Sequence, residues 1–184
     1  MKEICIYGRG GQGSLVLAQF MAIAALEDNK YGQAFPFLGG GGERRGKPIM
    51  AFCRLDNTPI RLRSRVSQAD YLIVQDVTIF KDEPVLEKVK PGGIVLVNTE
   101  RKPEELGITK NVIVHTVQAE KLAREILGRP IMNTALLGAF AAVTNELSLE
   151  AVLKAVRKKF PGEIGEKNAQ VVQKSYEALT GGSF

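Results

Sequence analysis

The sequence predicts an α/β protein: a doubly wound, mostly parallel sheet with helices on both faces, an inserted β-hairpin and a helical C-terminal part. Three observations carry this expectation. Near-continuous apolar runs rich in Val, Ile and Leu alternate with helical stretches, the pattern of strands buried on both faces. A glycine-rich turn, "GRGGQG" at Gly8–Gly13, links the first apolar run to a long helical one. The 184 residues, 45% hydrophobic and 24% charged, suit one domain over 1–184 with a sizeable core.

The elements follow in order. "EICIYG" reads as a buried first strand ending at glycine. "GSLVLAQFMAIAALEDN" is a helix apolar over most of its surface, which suits packing against the sheet and a second layer. "YGQAFPF" is a short strand. "LGGGGERRGK" must be a loop, because four successive glycines lose too much backbone entropy inside a regular element. "PIMAFCRL" and "PIRLRSRV" read as a hairpin turning at "DNTP". "ADYLIVQD", "GGIVLVNT" and "NVIVHTV" are three further strands, with a short helix at "EPVLEKV". Helices are expected over roughly 119–127, 133–145, 148–158 and 165–179, the last pair broken by "KKFPGE". In "NTALLGAFAAV", Asn133 or Thr134 is placed to cap its helix, and Gly138 and the alanines to pack closely in the core or at an interface.

Composition excludes several classes of function. Cys5 and Cys53 both fall in strand-like apolar runs and read as small buried hydrophobes. Two cysteines and one histidine, His115, do not make a four-cysteine cluster site or a spaced metal site. No GxSxG elbow accompanies His115, which reads as a hydrogen-bonded structural residue. No apolar run approaches the ~20 residues of a membrane span, and a cytoplasmic location is expected. The net charge of +5 is local. Between Glu43 and Arg65 seven basic residues face two acidic ones, an excess equal to that of the whole chain, so one electropositive face is expected. Within it, Arg61, Arg63 and Arg65 alternate along a predicted strand. They form either an anion-binding ladder or a charged edge or subunit contact. No aromatic-rich signature accompanies them, so nucleic acid is not an expected partner.

The glycine turn fits a Rossmann-like nucleotide fold. Gly8 permits the tight turn, Gly10 a close backbone approach, and Gly13 close helix–strand packing, with backbone N–H groups facing an anion. A dinucleotide site also needs an acid about 20 residues on, at the end of the second strand, and "YGQAFPFLGG" has none. Arg44 and Arg45 beside the second glycine loop suit a phosphate- or carboxylate-bearing partner. Asp76, at a strand's carboxyl end, either lines the cleft or caps the next turn, and Asn133 reaches either a ligand or a helix end.

"GRGGQG", "ERRGKPIMAFCRL", "ADYLIVQD", "PGGIVLVNT" and "NTALLGAFAA" occur in that order over nearly the whole chain. Together they resemble the gamma subunit, or gamma domain, of 2-oxoacid:ferredoxin oxidoreductases, closest to the pyruvate and 2-oxoisovalerate type. One segment departs from that resemblance. Where many gamma sequences carry a tyrosine-glycine-proline-glutamate style stretch, this chain has Gly39–Gly42 before Glu43, Arg44 and Gly46.

The resemblance implies a subunit of a complex that oxidatively decarboxylates a 2-oxoacid, reversibly and with coenzyme A, and reduces ferredoxin. It implies alpha, beta and delta subunits that carry thiamine diphosphate, Mg2+ and [4Fe-4S] clusters. This chain would then hold no cofactor firmly, and would serve assembly and coenzyme A positioning. Its site residues would be Gly8, Arg9, Gly10, Gly11, Gln12, Gly13, Arg44, Arg45, Asp76 and Asn133. In isolation its partner-facing apolar surface would favour a homodimer. Two other readings stay open on the residues alone: a free-standing NAD(P)- or flavin-dependent oxidoreductase, and a nucleotide-binding regulatory module.

Overall fold

The computed structural model describes residues 1–37 and 46–181. Six strands form one sheet in the order β2-β3-β1-β4-β5-β6. They are β1 (Lys2–Arg9), β2 (Tyr31–Pro36), β3 (Pro48–Asp56), β4 (Ala69–Val74), β5 (Val89–Asn98) and β6 (Ile113–Val117). β1, β4, β5 and β6 run parallel, while β3 is antiparallel to both β1 and β2. Among the described residues five α-helices complete the fold: α1 (Ser14–Glu27), α2 (Ala119–Leu127), α3 (Asn133–Thr144), α4 (Leu149–Lys159) and α5 (Glu163–Thr180).

The period-two alternation of each strand sorts its side chains into two cores. Ile4, Ile6, Cys53, Ile73 and Leu96 face one side, where all five α-helices pack. Cys5, Tyr7, Phe52, Leu72, Val74, Val95 and Val97 face the other. The mostly parallel α/β architecture is the expected one, with one refinement. The crossovers on the second face are not α-helices but short 3-10 turns at Val77–Lys81, Val85–Lys88 and Pro103–Leu106, joined there by the segment that contains Val66. One face therefore carries a full helical layer and the other a thin one.

Close backbone contacts hold the helical layer. Gly138 of α3 faces the Val172 carbonyl of α5, and Gly165 of α5 faces the Phe160 carbonyl, each leaving no room for a Cβ. Ser148 caps α4 by accepting from Ala151 N–H at 3.1 Å.

The antiparallel insertion differs from the expected hairpin. β3 pairs with β2 and inserts between β2 and β1, and residues 59–66 are not a strand. The cause is Arg54, whose guanidinium is fully buried. It donates to the Leu62 carbonyl at 3.2 Å and the Ser64 carbonyl at 2.6 Å, so that stretch's backbone is satisfied by a side chain instead of a strand ladder. The other donors of Arg54 reach Glu3 Oε1 at 2.9 Å and Gln33 Oε1 at 3.1 Å, and its plane lies over Phe35. Arg61, Arg63 and Arg65 therefore sit on a pinned loop, not on a ladder.

Candidate functional site

The connection from β1 through α1 goes one way along the sheet, and those from β4 through β5 to β6 go the other. The crevice at the carboxyl ends of β1 and β4 is thus a topological switch point, the place where such sheets take ligands. The GRGGQG turn sits there. Gly11 and Gly13 have φ of 98° and 77°, a left-handed backbone that glycine adopts without strain. Gln12 closes the turn by accepting the Arg9 N–H on its side-chain oxygen at 2.7 Å.

A buried amide network fixes the turn against its neighbours. Gln75, at the end of β4, accepts the Ser14 hydroxyl at 2.5 Å and donates Nε2 to the Asn133 Oδ1 at 3.0 Å and to the Gln12 carbonyl at 3.3 Å. Gly8 lies so close to Gln75 and Ser14 that a Cβ there would overlap both. Asn98, at the end of β5, donates to the Gln75 carbonyl at 3.0 Å and accepts the Glu120 N–H at the start of α2 at 3.2 Å. The carboxyl ends of β1, β4 and β5 are thereby tied to the N-termini of α1, α2 and α3.

Asn133 stands in the first turn of α3 but does not cap it. The cap position belongs to Met132, and no side chain caps the helix. The reason is Gln75, which draws the Asn133 carbonyl oxygen sideways. The side chain is 6% exposed, and its Nδ2 is turned toward the Cα of Gly13, where a Cβ would meet it. Gly11, Gln12, Gly13, Glu120, Pro130, Ile131, Met132 and Asn133 line a cleft of about 460 Å³ between the starts of α1 and α3, and its one carboxylate, Glu120, is paired with Arg124 at 2.8 Å. The N-cap of α1 is Gly13, again without a side-chain cap. Two uncapped helix starts, a Cβ-free turn and an amide donor therefore share one cleft, an arrangement that accepts an anion. A second cleft of about 400 Å³ at the ends of β4 and β5 carries Glu100 and Glu120 beside Lys121 and Arg124, so its charges offset.

The other expected site residues divide. Arg9 is turned along the surface, donating to Asp76 at 3.2 Å, Asp82 at 2.7 Å, Thr78 at 2.6 Å and the Gly46 carbonyl at 3.0 Å. It clamps the turn to the 3-10 segment. Asp76 takes the capping role, accepting from the Thr78 amide at 2.9 Å and hydroxyl at 2.5 Å. Partial burial would raise its carboxyl, but the Thr78 hydrogen bonds and the Arg9 charge outweigh that and hold it below the usual carboxylate range. Gly10 hydrogen-bonds through N–H to the Lys47 carbonyl at 2.9 Å. Arg44 and Arg45 lie outside the described residues. Sequence reasoning left Ser14 and Asn98 off the site, and put Gln75 at the sheet edge without giving it a role. The signal was there in a polar amide at the end of an apolar strand.

Cys5 and Cys53 are fully buried on opposite faces of the sheet, so they are not a ligand pair. Burial pushes the Cys5 thiol up to about 12 and the Cys53 thiol still higher. His115 is half-buried in β6, and burial lowers its pKa. A dinucleotide reading fails on geometry as well as on sequence. In such a fold the second strand lies beside the first and offers an acid to the ribose. Here β3 intervenes, so the end of β2 lies about 10 Å from β1, two strand spacings instead of one.

The family profile described as pyruvate ferredoxin/flavodoxin oxidoreductase matches residues 3–178. A pyruvate synthase subunit PorC of Methanosarcina barkeri is 50% identical over 98% of both chains. The pyruvate/ketoisovalerate oxidoreductases common subunit gamma of Pyrococcus furiosus is 43% identical over 96% of both. The crystal structure of the pyruvate oxidoreductase subunit PORC of Thermotoga maritima superposes with a TM-score of 0.83 at 36% identity, covering 96% of this chain and 97% of that one. The chain belongs to the pyruvate ferredoxin/flavodoxin oxidoreductase family, among its gamma (PorC) subunits.

Proposed function

We propose that this gamma subunit works in the cytoplasm, within a complex that reversibly and oxidatively decarboxylates pyruvate or a related 2-oxoacid with coenzyme A and ferredoxin. Its part is assembly and the holding of coenzyme A phosphates. Alpha, beta and delta subunits carry thiamine diphosphate with Mg2+ and the [4Fe-4S] clusters. Full-length similarity to gamma subunits supports the assignment to the complex. The geometry at Asn133 carries the phosphate role. Its Nδ2, free of any other partner among the described residues, meets the Cβ-free turn at Gly13 where two uncapped helices begin. Phosphate oxygens are the anions such a donor set fits, and the apolar edge at Ile131 and Met132 suits an aliphatic or aromatic portion of the same ligand. Coenzyme A supplies the acyl acceptor when bound. The chain's own residues bind and orient it: Gly11 and Gly13 admit the phosphate to the backbone, Asn133 donates to it, and Gln75 fixes Asn133. Arg44 and Arg45 join this reading on their place in the sequence and their charge alone.

The test is the half-saturation for coenzyme A in the assembled enzyme carrying Arg44→Ala plus Arg45→Ala, and separately Asn133→Asp. A raised coenzyme A requirement with retained turnover at saturation is expected. Unchanged coenzyme A kinetics in both variants would overturn the phosphate role.

A further inference from the structure

Arg54 is the largest fully buried side chain, and half of its polar contacts go to backbone carbonyls of a loop instead of to acids. Burying a guanidinium is costly, and the Glu3 carboxylate is its only ion partner among the described residues. Besides Glu3 and Gln33 on neighbouring strands, Arg54 holds the segment 61–65 in place. The segment's carbonyls at Leu62 and Ser64 both accept from the same guanidinium, and the chain bends at Ser64. Arg61, Arg63 and Arg65 all lie on this one short held segment.

All three arginines are exposed, and among the described residues none makes an ion pair. Arg65 lies over the Phe37 ring, and Leu62 is 41% exposed between its charged neighbours. Three like charges held on one short loop by a buried scaffold repel one another, and a complementary surface relieves that repulsion. The loop crosses the thin face of the sheet, where Val66 enters the second core and, among the described residues, no α-helix covers it.

We propose that the loop 61–65 is a preorganised docking surface for an acidic polypeptide segment of another subunit of the complex. This rests on the reading of the chain as a working gamma subunit. The number of charges favours a polypeptide over a single phosphate group. Arg61, Arg63 and Arg65 are three separate charges within five residues, more than one phosphate group needs, and they match several carboxylates on a partner segment. The exposed aliphatic between arginines is the composition of an interface.

Arginine-selective labelling with phenylglyoxal, read by peptide mass spectrometry, tests this on the isolated chain and on the purified complex. Arg54 serves as the protected reference. Expected is full reactivity of Arg61, Arg63 and Arg65 in the isolated chain, and reactivity as low as that of Arg54 in the complex. The variant Arg61→Gln/Arg63→Gln/Arg65→Gln should stay folded and lose co-purification with its partners at moderate salt. Equal labelling in both states would overturn the docking surface while leaving the gamma-subunit reading intact. So would protection of the isolated chain by coenzyme A or inorganic phosphate alone, which would make it a small-anion site. A chain that co-purifies with no cluster- or thiamine-binding subunit would overturn the gamma-subunit reading, and the proposal with it.

Discussion

The substitution Asn133→Asp separates the anion role of the cleft from its structural role. The variant keeps an oxygen for Gln75 Nε2, which now donates to Asn133 Oδ1 at 3.0 Å. It replaces the Nδ2 donor, turned toward Gly13, with a negative charge at the same place. A hydrogen bond to a charged group contributes about 1.5–3 kcal/mol. Repulsion between a carboxylate and a phosphate at ~4 Å adds up to about 4 kcal/mol at an effective dielectric near 20. The hydrogen bond alone amounts to one to two orders of magnitude in affinity at about 1.4 kcal/mol per decade. An acid in the first turn of α3 suits the helix dipole, so the fold should hold. Calorimetric titration of the assembled enzyme with coenzyme A is the assay, with circular dichroism to confirm the fold. A folded variant that binds coenzyme A as the parent does would refute the reasoning.

Other outcomes follow from the same contacts. Gly8→Ala should destabilise by at least the 1–3 kcal/mol typical of overpacking, because Gln75 and Ser14 occupy the Cβ position; a melting temperature within error of the parent would count against the network. Arg54→Met strands Glu3 and two loop carbonyls and should cost about 3–5 kcal/mol by denaturant titration, with protease cleavage appearing in 57–66; a cost below about 1 kcal/mol would mean the loop is not held by this residue. The folded-state pKa values of Asp70 and Asp76 are depressed below their unfolded values, so the stability they add is present above the usual carboxylate pKa near 4 and is lost as pH falls through the depressed values. Thermal melts of Asp76→Asn should therefore show a weaker loss of stability in acid than the parent, and parallel curves would contradict the Arg9–Asp76 clamp. Neither thiol should react with a thiol reagent at pH 8 in the native state, with Cys5 pushed up to about 12, whereas both should react after unfolding; native labelling at either position would overturn its burial.

The sheet was legible because its strands obey local rules. The alternation that sends Ile4 and Ile6 to one core and Cys5 and Tyr7 to the other is written in the sequence. So was the GRGGQG turn, since glycine takes the left-handed backbone of Gly11 and Gly13 without strain. The errors arose where a distant side chain replaced a local preference. "PIRLRSRV" has a strand's alternation, but Arg54 takes the carbonyls that a ladder would have used. Asn133 has a capping residue's chemistry, but Gln75, 58 positions earlier, draws its oxygen away. Asp76 had two local readings, and the neighbouring Thr78 decided for the cap. The thin second face was hidden for another reason: "EPVLEKV" is too short to show whether it makes an α-helix or a 3-10 turn.

The central claim is that this chain works as the gamma subunit of a 2-oxoacid:ferredoxin oxidoreductase. Anaerobic purification of the tagged chain from its own host, with mass spectrometry of the proteins that accompany it, tests that claim most directly. Thiamine-binding and cluster-bearing subunits recovered in fixed ratio to the chain are the predicted result. A chain recovered alone, and binding a nucleotide by itself, would contradict it.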